Sequence, residues 1–147
     1  MAGLRSNTIR ARALRGTVLL MGVHLLLGSA RAADLTWTNT SGGYWTNAAN
    51  WDGGVYPGQS SSDNAFLTND ISGSYRVTLD TNPGNTVPSI VVSNDAGEAW
   101  LAITNCTYTQ TAGISLQKGA RLQIDNATVS GVSGGSLKMQ GTDPVIY

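Results

Sequence analysis

The chain has 147 residues, with nine Lys and Arg against nine Asp and Glu, 18 glycines, one histidine and one cysteine. Its apolar fraction of 41% with only 12% charged residues excludes a wholly disordered chain. The neutral balance argues against a basic nucleic-acid binder, and one cysteine excludes an internal disulfide framework.

In chain order the first element is a predicted secretory signal peptide, Met1 to Ala32. Arg5, Arg10, Arg12 and Arg15 form a basic start without acids, and an apolar run from Thr17 to Leu27 follows, broken only by His24. Ala30 and Ala32 supply the small residues of a cleavage site after Ala32. An uncleaved anchor needs about 20 apolar residues, roughly twice this run, and no later stretch is long and apolar enough to span a membrane. The expectation is export, to the extracellular space, the cell surface or the periplasm. Cleavage leaves Arg76, Lys118, Arg121 and Lys138 against nine acids, a net charge of −5 with no histidine. Ser–His–Asp and Cys–His catalysis and most zinc sites need an imidazole, so the mature chain can build none of them.

Residues 33–73 are rich in Trp, Asn, Ser and Gly, with turn signals at Ser41-Gly42-Gly43, Asp52-Gly53-Gly54, Pro57-Gly58 and Ser60-Ser61-Ser62. Leu35 to Trp37 and Asn64 to Leu67 read as brief strands, and Trp37, Trp45 and Trp51 cluster with Tyr44 and Tyr56. From Ser74 to Tyr147 the texture changes to short β-prone runs parted by Gly and Asn turns. Strands are expected at Tyr75–Leu79, Ser89–Ser93, Trp100–Thr104, Ile114–Gln117, Arg121–Ile124 and Ser136–Met139.

An internal repeat organises this second region. A shift of about 21 residues lays Leu101-Ala102-Ile103-Thr104-Asn105-Cys106-Thr107 over Leu122-Gln123-Ile124-Asp125-Asn126-Ala127-Thr128, sharing L-x-I-x-N-x-T. The same shift brings Leu116 over Leu137. A repeat of this length with two or three strands is what a β-solenoid requires, because each coil buries its inner face only against the next. Leu101, Ile103, Leu122 and Ile124 are expected to point inward and stack, with Leu116 and Leu137 on another face. Asn105 and Asn126 are expected at equivalent left-handed corners, in a side-chain ladder. The alternative fold is a β-sandwich of short hairpins, which needs no repeat in register.

The residues from Trp37 to Trp51, then Gly53-Gly54-Val55-Tyr56-Pro57, Asp63-Asn64-Ala65-Phe66 and Val77-Thr78-Leu79-Asp80, carry a resemblance. They resemble the mature N-termini of bacterial secreted proteins with autotransporter-associated β-strand repeats, some of which bear PEP-CTERM-type sorting tails. The resemblance implies a right-handed parallel β-helix (β-solenoid) acting as an extracellular passenger or surface stalk. The chain departs from that class in showing neither a translocator barrel nor a sorting segment. Val145-Ile146-Tyr147 begins another rung and stops. The expectation is therefore a C-terminal truncation, with the remainder of the same chain or a partner covering the last coil.

Candidate sites are few. Tyr44, Trp45 and Trp51 are candidates for stacking on a carbohydrate; the competing reading is an aromatic cap at the solenoid's N-terminal end. Asp52, Asp63, Asp70 and Asp80 offer hard oxygens for Ca²⁺, but no calcium-loop motif unites them. Asp95 with Glu98, and Asp80 with Asp125, are the carboxylates that glycoside chemistry would use, again without a local motif. Cys106 falls at a repeat position that alanine fills as Ala127, which suits packing. Sequons stand at Asn39, Asn105 and Asn126, and the latter two follow the repeat, which explains them without a glycan. The reading is a secreted structural, adhesin-like β-helix without catalytic residues, cofactor or metal; the alternative is a carbohydrate-binding or carbohydrate-processing β-helix. An extracellular glycan or surface is the partner class, with no nucleic acid and no membrane span after cleavage.

Overall fold

The computed structural model describes residues 32–60, 62–131, 136–140 and 143–147. The expected signal peptide, up to Arg31, lies outside the described residues, as does the turn at residues 133–135. The strands are β1 (Asp34–Thr36), β2 (Gly43–Tyr44), β3 (Asn64–Leu67), β4 (Ser74–Leu79), β5 (Val87–Val92), β6 (Glu98–Thr104), β7 (Thr107–Leu116), β8 (Ala120–Asp125), β9 (Thr128–Gly131), β10 (Ser136–Met139) and β11 (Val145–Ile146). A 3₁₀ turn at Ala48–Asn50, capped by Asn47, is the one helical element among the described residues.

Successive strands alternate between two parallel sheets, β1-β3-β5-β7-β10, with β9 also on β7, and β2-β4-β6-β8-β11. Strand neighbours in space are thus one coil apart in sequence, and the fold is a β-solenoid. From β3 onward, paired residues lie 21 to 25 positions apart. The first coil is longer, with Leu35 facing Ala65 and Gly43 facing Val77, because it carries the Trp-rich excursion. β1, β2 and β3 enter the two sheets, so the change of texture at Ser74 is not a break in the stack.

Alternation drives the packing. Tyr75, Val77 and Leu79 point inward on β4, as do Ala99, Leu101 and Ile103 on β6, and all six are buried. Leu101 stacks on Leu122 and Ile103 on Ile124, as the repeat predicts. Trp37, Trp45 and Trp51 close the core at the first coil. Trp51 meets Trp37 edge-on at 5.2 Å and Trp45 at 4.8 Å. Each indole N–H reaches a backbone carbonyl, that of Asn39, Pro57 and Trp45 respectively, so the plug buries no idle donor.

Two inward residues depart from expectation. Ile124 is 37% exposed and Leu137 48% exposed, although each points to the interior. Both belong to the coils nearest the far end, where no complete coil of described residues lies over them, and Met139 and Ile146 are exposed there too. Leu137 also pairs with Ile114, leaving Leu116 opposite Met139. Gln110 to Gly113 is three residues in β7, while their partners Gly131 to Ser136 span five. The register therefore slips by two, which preserves the inward face because side chains alternate with period two.

The corners hold the coils in phase. Asn105 and Asn126 adopt φ of 53° and 46°, and Asn126 Nδ2 donates to Asn105 Oδ1 at 2.9 Å, the predicted ladder. Asn94, only 1% exposed, accepts from the Ile71 and Ala96 amides at 3.1 Å each and donates to the Gly73 carbonyl. It replaces the strand hydrogen bonds that a corner interrupts.

Candidate functional site

The outward face of the second sheet gathers the aromatic and charged side chains. Inward residues at Tyr75, Val77 and Leu79 leave Ser74, Arg76 and Thr78 outward, and register carries this to the neighbouring strands. Arg76 faces Trp100, and Trp100 faces Arg121, in one row. A second row runs Tyr44, Thr78, Ala102, Gln123. Ser74 faces Glu98.

These side chains form one network. The Glu98 carboxylate accepts from the Trp100 indole N–H at 3.0 Å and from Arg121 at 2.9 Å. The Arg76 guanidinium lies 5.4 Å from the Trp100 ring centroid and donates to the Gln123 side chain, two coils away from its own. Ala102 points outward between them yet is fully buried, because the Arg76–Gln123 bridge crosses its rung. The Tyr147 ring stacks on Trp100 at 5.3 Å with planes 15° apart. Arg121–Glu98 is the single ion pair among the described residues, so Arg76 has no described carboxylate partner. A depression opens on this face, lined by Ser41, Ser74, Tyr75, Arg76, Glu98 and Trp100.

The three stacking candidates divide. Trp45 is 0% and Trp51 3% exposed, so their rings belong to the core and present no face to a sugar. The aromatic content that suggested a binding surface is spent on closing the first coil. Tyr44 is 59% exposed, one strand from Arg76, and its carbonyl is fixed by the Asn50 side chain at 3.2 Å. No family model, curated protein or solved structure matches this chain.

The remaining candidates serve turns. Asp52 accepts from the Thr36 amide, Asp63 from the Ala33 amide and Asp70 from the Asp95 amide, at 2.8 to 2.9 Å. Asp80 accepts from Thr81 at 3.3 Å. They stand at different corners, and the described residues contain no group of three or more potential metal ligands. Of the carboxylates considered for glycoside chemistry, Glu98 is held by Arg121 and Trp100, and Asp125 ends β8. Cys106 and Ala127 pack against the core from equivalent corners, and the Cys106 thiol points at the Leu79 carbonyl at 3.5 Å. Burial, then the nearby Asp80 charge, pushes that thiol's pKa up, away from the reactive thiolate. No helix among the described residues is long and apolar enough to cross a membrane.

The sequence reading missed the Arg76–Trp100–Arg121 row. A fixed period of 21 places Leu101 over Asp80, whereas the coils pair Leu101 with Val77, 24 positions back. Gly73-Ser74-Tyr75-Arg76-Val77-Thr78-Leu79 laid over Gly97-Glu98-Ala99-Trp100-Leu101-Ala102-Ile103 reveals it, because glycine and the alternating apolar positions coincide.

Proposed function

We propose that the protein is an exported structural β-solenoid with an adhesin-like role, working by surface contact and not by catalysis. The observation that carries this reading is the in-register outer array of Arg76, Trp100 and Arg121 beside exposed Tyr44. The stack presents it in register, and Glu98, the carboxylate beside it, is held by Arg121 and Trp100. The signal-like start supports export, and the likeness of residues 37–80 to autotransporter-associated repeats supports a passenger or stalk role.

Two measurements test this. N-terminal sequencing of the exported product is expected to begin at Ala33. Beads coated with the mature chain, residues 33–147, are expected to be retained on polysaccharide-coated surfaces, while beads coated with urea-unfolded chain are not. Retention equal to that of albumin-coated beads refutes the adhesive role. Release of sugar from the coat by the folded chain refutes the non-catalytic one.

A further inference from the structure

Resting on that reading, we infer that the depression lined by Ser41, Ser74, Arg76 and Trp100 binds an acidic saccharide, with a uronate-type carboxylate on the Arg76 guanidinium and the sugar reaching toward Tyr44 on the adjoining strand. Charge is the first argument. Arg121 is neutralised by Glu98, and the Trp100 indole holds the second Glu98 oxygen, so that carboxylate is not free to turn toward Arg76. Arg76 touches only a neutral amide and an aromatic ring. With Arg121 and Glu98 paired, the network of Arg76, Arg121 and Glu98 around the depression carries one net positive charge on a mature chain of net −5, which favours an anion. A guanidinium fork matches a planar carboxylate, and such charge-assisted bonds exceed neutral ones in strength.

The second argument is Tyr44. Among the described residues the other exposed large apolar side chains, Ile124, Leu137, Met139, Ile146 and Tyr147, belong to the last coils, where the stack's end explains their exposure. Tyr44 lies on β2, the edge strand of the second sheet, and faces outward in register with Thr78, while its neighbours Trp45 and Trp51 are buried. An exposed aromatic ring with a polar tip suits a sugar's apolar face and hydroxyls together. Ser41 and Ser74 add hydroxyl partners beside Arg76 in the depression itself. The Ser41-Gly42-Gly43 turn is pressed against β4, with the Gly42 Cα so close that a Cβ would meet the Arg76 carbonyl. Tyr44, Ser41 and Arg76 are therefore held in fixed relation. Adjacent strands lie about 4.8 Å apart, so the three rungs concerned span about one or two sugar rings.

Titration calorimetry on the mature chain tests this with trigalacturonate, maltotriose and sodium sulfate as probes. Trigalacturonate is expected to bind, to weaken as NaCl rises, and to bind at least about tenfold less tightly to Arg76→Gln. Tyr44→Ala is expected to weaken it as well, and Lys138→Gln, at the far end, to leave it unchanged. Arg76→Lys keeps the charge and loses the fork, and is expected to fall between wild type and Arg76→Gln; it serves if circular dichroism shows Arg76→Gln unfolded. Equal binding of maltotriose overturns the acidic specificity. Sulfate binding as tightly as trigalacturonate overturns the saccharide in favour of a bare anion site. No binding of any probe overturns the site, while bead retention judges the adhesive role separately.

Discussion

Gly97 offers a sharp test of how closely the coils are stacked. It precedes β6, and the next amide, Glu98, donates to the Gly73 carbonyl of the preceding coil at 2.8 Å. A Cβ on residue 97 would stand 2.5 Å from the Ile71 oxygen and 2.8 Å from the Gly73 nitrogen, and closer still to the Gly73 oxygen. Ordinary Cβ contacts begin near 3.4 Å, so the two coils must part by about an ångström. The atoms struck are backbone, and they are pinned. Gly73 N donates to Ile71 O at 2.8 Å, and the Asn94 side chain bonds both the Ile71 amide and the Gly73 carbonyl. Overpacking costs about 1–3 kcal/mol, and each backbone hydrogen bond lost adds about 1 kcal/mol, so Gly97→Ala is expected to cost about 2–4 kcal/mol. That is a large share of the roughly 5–15 kcal/mol that stabilises a domain. Gly73 occupies the equivalent corner one coil earlier, with nothing within 4 Å of its own Cβ position. Gly73→Ala should therefore stay within about 0.5 kcal/mol of wild type. Urea unfolding of residues 33–147, followed by far-ultraviolet circular dichroism, measures both. A Gly97→Ala loss below about 1 kcal/mol, or an equal loss for Gly73→Ala, would refute the stacking argument.

Two further outcomes follow from buried phenols. The Tyr108 hydroxyl is buried without a hydrogen-bond partner, and an unsatisfied buried group costs about 1–3 kcal/mol, so Tyr108→Phe should be neutral or stabilising; a clear loss of stability in urea would show that the hydroxyl has a partner. Burial, the largest cause, pushes the Tyr75 phenol up to about 12 and raises that of Tyr108 also, against an unfolded value near 10.0. A folded pKa above the unfolded one means that the folded state holds its proton more tightly. The associated stability is complete below about pH 10 and is lost as pH rises toward 12. Urea midpoints should be flat up to about pH 9.5 and fall beyond it, and a midpoint that stays level to about pH 11.5 contradicts the burial of these rings.

The sequence made the coils legible where repeat and alternation agree. Leu101, Ile103 and Leu122 were placed inward by period two, and Asn105 and Asn126 were placed at left-handed corners by residue chemistry. β3 and β10 were expected with the bounds that the structure shows. The N-terminal half of β7 and all of β9 went unseen, because Thr107–Gln110 and Thr128–Gly131 are mostly polar and their pattern lacks apolar alternation. Exposure at Ile124 and Leu137 was not legible either. Alternation fixes which way a side chain points, while burial also needs a covering coil, and sequence pattern carries only the first. The site divided on the same ground. Trp45 and Trp51 were candidates by type, and hydrogen bonding of their indoles within the first coil decided against them. The Arg76–Trp100–Arg121 row spans coils of unequal length, which no single period aligns.

The unlike ends of the stack have a consequence for how the chain reaches its fold. The tryptophan plug lies on the first coil, so it is complete early in synthesis and offers a finished template. From there each strand pairs with one only 21 to 25 residues behind it. The entropy of closing a loop depends on that separation and not on the number of coils already laid down. Every added coil thus meets the same modest barrier, and relative contact order falls as the stack lengthens. The stack can therefore grow by accretion from its N-terminal coil, each coil held by the one before it.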